Sequence, residues 1–232
     1  MKSQRVREYQ RKMRIRSGLQ ILIVSVIVVL ATMGIRVAVD YFLGEEPASV
    51  RDFFPSWGKP ACQLTEEEMN ATPPLLLQTD RRWADAAYGN SDIKTSGCAP
   101  TCMAMVIVGL THNEKVTPKS VGDYAVKKGY YEEGKGTTWE FITEGGKHWK
   151  VQGVEISLSY KSIKNQLDEG HPIICSMRPG DFTDEGHFIV LTQIENGKIK
   201  LHDPNSLERS NCQWDYETLE PQIKNLWAFK KN

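Results

Sequence analysis

The hydropathy pattern divides the chain into three stretches of different character. Leu19 to Ile35 is a run of 17 residues in which only Gln20, Ser25 and Thr32 are polar and none is charged. As a helix it spans about 25 Å at 1.5 Å per residue, the thickness of a bilayer core. Arg36 can snorkel, and Val37 to Leu43 extends the run to Tyr41 and Phe42, residues that suit a membrane interface. From Gly44 to Pro74 no period is sustained, and Pro47, Pro55, Pro60, Pro73 and Pro74 mark a linker. Beyond residue 75 periodic segments follow one another closely.

Helical signals come first in that region. Thr101 to Leu110 is apolar on nearly every face, which predicts a covered helix opening near Cys98-Ala99-Pro100. Thr117-Pro118 is an N-cap followed by a first-turn proline, with Gly129 as the stop. Thr137-Thr138-Trp139-Glu140 opens a short helix that Gly145-Gly146 is expected to close. Ser159 caps another from Tyr160 to about Glu169, ended by Gly170. The period then becomes two. Val151–Leu158, Pro172–Met177, Gly186–Ile194, Lys198–His202 and Asn225–Lys230 read as strands, and Asn196-Gly197 as a hairpin turn. Helices leading into an antiparallel sheet predict an α+β domain.

Charge adds an orientation. The net charge of the 232 residues is zero, but residues 1–18 carry seven basic side chains and one acidic, +6, so the remaining 214 sum to −6. An acidic body excludes a nucleic-acid footprint. Basic residues before an apolar run place the N-terminus in the cytoplasm. The run is longer than the apolar core of a cleaved signal, and Val29 to Gly34 holds no small-x-small site. The expected organisation is a basic cytoplasmic tail (1–18), a single-pass signal anchor (19–43), an extracytoplasmic linker (44–74) and a compact domain (75–232).

Candidate chemistry centres on Cys98. A helix N-terminus favours a thiolate and offers unpaired N–H groups to an oxyanion; the other role for such a cysteine is a small buried hydrophobe. Nucleophilic cysteine chemistry also needs a histidine, a group that orients it, and oxyanion donors. His187 opens a predicted strand, and Asp203 ends the strand joined to it by the hairpin, with Asn205 beside it as a substitute. Gln78 offers a side-chain amide. Cys98-x3-Cys102 has no second pair to complete a zinc site, and no metal or cofactor is implied. His112, His148, His171 and His202 have no motif around them. Of the five cysteines, Cys102 and Cys175 fall in core-like segments, while Cys62 and Cys212 fall in loop-like ones and are expected to form a disulfide.

Four segments, Gln78-x-Asp80-x-x-Trp83, Gly97-Cys98-x-Pro100-Thr101-x-x-Ala104-Met105, Gly186-His187-Phe188-Ile189-Val190-Leu191 and Asp203-Pro204, resemble the C39-like peptidases, a branch of the papain-like cysteine peptidases. The resemblance runs over roughly residues 75–230. It departs at Ala99, where the family usually has glycine. It implies the papain-like fold, with Cys98 as nucleophile, His187 as general base and acid, Asp203 as orienting group and Gln78 as oxyanion donor beside the Cys98 N–H. The implied protein is a membrane-anchored, extracytoplasmic thiol peptidase acting on a peptide or protein substrate. The alternative is a peptide-binding or docking module of a secretion or cell-wall system that keeps the fold without cutting.

Overall fold

The computed structural model describes residues 61–134 and 136–232, together with Ala31. The expected basic tail, the membrane anchor and residues 44–60 of the expected linker lie outside the described residues. Among those described, no helix is long and apolar enough to cross a membrane.

The described residues form eight α-helices: α1 (Glu66–Asn70), α2 (Ile93–Ser96), α3 (Cys98–Thr111), α4 (Pro118–Lys127), α5 (Trp139–Glu144), α6 (Tyr160–Asp168), α7 (Leu207–Asn211) and α8 (Tyr216–Leu219). A six-stranded sheet is built from β1 (Val151–Glu155), β2 (Ile173–Met177), β3 (His187–Glu195), β4 (Lys198–His202), β5 (Gln213–Trp214) and β6 (Ile223–Lys231). The strand order is β1-β6-β2-β3-β4-β5, and every pairing is antiparallel. Two short ribbons, 87–92 and 131–137, stand apart from it. The expected α+β architecture is present.

The chain forms these elements for local reasons. Thr117 caps α4 through a full capping box with Ser120, and Pro118 supplies the first turn. Ser159 caps α6 by accepting from the Ser162 N–H. Asn196 and Gly197 both take positive φ, 52° and 80°, as a two-residue turn matched to the twist of β3 and β4 requires. The α5 helix ends at Glu144 with Gly145 as its C-cap, as expected; the chain then continues as a 3₁₀ turn to Trp149, and Lys150 ends that turn in the left-handed region. Both glycines are buried there, and a Cβ on Gly145 would stand 2.6 Å from Phe141. They permit close packing where the α-helix ends.

The sheet is covered on both sides. Ile174, Phe188, Val190, Trp227 and Phe229 face a core organised around α3. Ile173, Cys175, Met177, Ile189 and Leu191 face a second core with Ile163 and Leu167 of α6 and with Leu219 of α8. Burial of both faces explains why every residue of β2 is buried. Helix α3 is buried from Ala99 to Val108, as its apolar pattern predicts.

Part of the expected linker lies in this unit. Residues 61–74 belong to it: Leu64, Pro73 and Pro74 are buried, and Arg82 binds both Glu68 of α1 and Asp80. The expected disulfide is absent. All five cysteines are free. Cys62 lies against the α3 core with its thiol on Thr117 Oγ1, whereas Cys212 ends α7 with its thiol on the Glu208 carbonyl.

Candidate active site

The site is assembled from a helix start and two neighbouring strand ends. Cys98 is the first residue of α3 and is half-buried. Its backbone N–H is one of the four at the helix start that have no acceptor within the helix. Gly97 precedes it because nothing larger fits: a Cβ there would sit 2.3 Å from the Ile93 carbonyl oxygen of α2. The close turn from α2 into α3 is what presents Cys98 to the cleft.

His187 opens β3 and is 6% exposed. Its Nε2 lies 2.7 Å from Asp203 Oδ1, and Cys98 stands close enough to act on the charge of its imidazole. Burial works against a charged imidazole here. The hydrogen bond to Asp203 and the influence of Cys98, with the charges of both, outweigh it and raise the His187 pKa to about 9.

Asp203 follows β4 and is fully buried. Its Oδ1 also accepts from the Asn205 N–H at 2.8 Å, and its Oδ2 accepts from Arg209 Nε at 2.5 Å. Burial alone would raise its pKa. The hydrogen bond and positive charge of His187, then the bonds from Arg209 and Asn205, hold the carboxyl below its ordinary value. Asn205 therefore serves Asp203 through its backbone. Ser206 caps α7, and Ser210 Oγ accepts from the Asp203 N–H at 2.9 Å. The turn and the short helix together fix the carboxylate.

Gln78 is 3% exposed. Its N–H donates to the Pro204 carbonyl at 2.7 Å, tying it to the Asp203 turn. Its Nε2 donates to the Lys94 carbonyl of α2 at 2.6 Å and keeps a second N–H to give. Around it, Asp80 Oδ1 accepts from the Arg82 N–H, and Trp83 Nε1 donates to the Leu77 carbonyl, so the spacing Gln78-x-Asp80-x-x-Trp83 folds as one turn. Structure thus pairs His187 with Asp203, places Cys98 and His187 on one cleft lining and sets Gln78 beside the α2–α3 junction.

Cys98 and His187 line an open cleft of about 920 Å³. The ribbon around Tyr131 and Thr137 forms one wall, and Met177, Arg178 and Lys224 form the other. Tyr88, whose hydroxyl pairs with Thr137 Oγ1 at 2.7 Å, holds the ribbon from behind. Burial pushes the Tyr88 phenol well up, so it stays neutral. The cleft walls and Arg209 escape sequence reasoning, because no period or motif marks them. Four histidines without motifs have structural places: His112 ends α3 in the left-handed region, His148 stacks on Tyr124, His171 bonds Gln166, and His202 bonds the Pro74 carbonyl.

The model of the Peptidase_C39 like family matches residues 74–231. The chain belongs to that family. Its matched span begins just ahead of Gln78 and closes within β6, so the whole constellation lies inside the family domain. Among solved structures, the peptidase domain of Streptococcus ComA, a bi-functional ABC transporter involved in a quorum-sensing pathway, is similar at 16% identity and a TM-score of 0.47, over 60% of this chain and 93% of that one. A putative C39-like peptidase from Bacillus anthracis is similar at 13% identity and a TM-score of 0.47, over 73% of this chain and 98% of that one. No curated protein matches. Membership of the Peptidase_C39 like family is consistent with a cysteine peptidase or a related domain acting on peptide or protein.

Proposed function

We propose that the protein is a cysteine peptidase with Cys98 as nucleophile, His187 as general base and acid, Asp203 as orienting group, and Gln78 with the Cys98 N–H as oxyanion donors. The observation that carries this reading is the bond from His187 to buried Asp203, with His187 and Cys98 together on the lining of one open cleft. Nε2–H of His187 is committed to Asp203, which leaves Nδ1 for Cys98. A raised pKa keeps the imidazole charged beside the sulfur at neutral pH. The Cys98 thiolate attacks the substrate carbonyl and forms a C–S bond. His187 passes its proton to the departing amine, then takes one from the water that releases the acyl group.

In this reading the domain faces out of the cell. Residues 19–43 anchor it in the membrane, with the basic tail in the cytoplasm. The test is alkylation by iodoacetamide near neutral pH, mapped by mass spectrometry. Cys98 is expected to label far faster than Cys102 or Cys175, whose thiols burial pushes well up, and His187→Ala is expected to slow it. Equal labelling of the three, indifferent to His187→Ala, would leave a domain of this family that holds peptide without cutting it.

A further inference from the structure

Asp203 presents two oxygens, and the structure uses them differently. Oδ1 takes His187 Nε2 and the Asn205 N–H. Oδ2 takes Arg209 Nε, the one side-chain donor on that atom among the described residues. The residue is fully buried, so water cannot stand in for a lost partner. Arg209 is itself well held. It lies on α7, which Ser206 caps, its carbonyl accepts from Trp214 Nε1 at 3.1 Å, and its guanidinium lies 5.8 Å from the Phe182 ring centroid. Trp214 and Phe182 pack together at 4.7 Å between centroids, so one holds the Arg209 backbone and the other lies beside its guanidinium.

From this geometry we infer that Arg209 is a positioning residue of the site: by occupying Oδ2 it keeps Asp203 ionised and turned so that Oδ1 meets His187. Arg209 is absent from the cleft lining and acts through Asp203 alone. With Oδ2 unpaired in a buried place, the carboxylate relieves its uncompensated charge by taking up a proton or by rotating away, and both withdraw it from His187. The imidazolium then weakens, and the Cys98 proton returns to sulfur. The inference rests on the proposed roles of Cys98, His187 and Asp203.

The test is a double-mutant cycle on the full chain, with iodoacetamide as probe. The readout is the Cys98 alkylation rate at pH 7 divided by its rate at pH 10, a ratio that reports the thiolate fraction at neutral pH and cancels general changes in access. Arg209→Met is expected to lower the ratio roughly tenfold, as Asp203→Asn does, and Arg209→Lys to recover most of it. In the Asp203→Asn background, Arg209→Met is expected to change it less than twofold, because groups acting as a unit do not lose independently. A ratio unchanged or raised by Arg209→Met, or lowered by the same factor in both backgrounds, overturns the inference. Should Arg209→Met unfold, Arg209→Gln takes its place in the same cycle, with the same outcomes for and against. A wild-type ratio indifferent to His187→Ala would instead defeat the proposed function, so the two failures are told apart.

Discussion

His187 and Asp203 draw opposite pH limits on the folded domain. The His187 pKa rises from its ordinary 6.5 to about 9, so its contribution to stability is complete below 6.5 and is lost as pH climbs through about 9. The Asp203 pKa falls below its ordinary 3.8, so its contribution is present above that value and is lost as pH drops through the folded pKa. The pair therefore supports the fold most between about 4 and 6.5. The wild-type thermal midpoint is expected to fall between pH 7 and 9.5, and His187→Gln to flatten that fall, checked by melting curves across the range. An unchanged alkaline fall would mean that another group carries it.

The junction between α2 and α3 is the element on which presentation of Cys98 depends. Gly97 is held by the Ile93 carbonyl, to which its N–H donates at 2.8 Å, and a methyl there collides with the same oxygen. The obstacle is backbone, which cannot swing aside as a side chain does. Gly97→Ala is expected to cost about 1–3 kcal/mol, the range of an overpacked site, as measured by urea unfolding. It should also slow Cys98 alkylation, because the start of α3 must move to relieve the clash. A glycine at the opposite kind of position, Gly129 just after α4, has no atom within reach of an added Cβ; its positive φ of 78° is what an alanine there would resist.

For the molecule as a whole, the proposed membrane anchor carries a prediction of its own. Seven basic residues precede the apolar run and the remainder of the chain is acidic, and on this the proposal of a cytoplasmic N-terminus and an external domain rests. Protease added to intact, wall-stripped cells is expected to digest the domain, as read by a C-terminal tag; full protection until lysis would reverse the assignment. All five cysteines are free, and Cys62 and Cys212 find their own partners, so the fold stands on its two cores with no covalent staple.

Read alone, the chain determined much of the framework because the relevant signals are local. A capping box at Thr117, a Ser159 cap, an Asn196-Gly197 turn and period-two runs act within a few residues, and the elements follow them. The same locality put Cys98 at a helix start and His187 at a strand start. Other features arise only when distant segments meet. Strand β6, last in the chain, enters between β1 and β2, and hydropathy is blind to that order because both faces of the sheet are apolar. Gln78 finds Lys94 and Pro204, and Gly145-Gly146 serves as a packing site as well as the end of α5. The partnership of Arg209 with Asp203 needs both full burial of the carboxylate and the cap that turns α7 toward it. Burial and direction are properties of packing, and packing is where local pattern ceases to be informative.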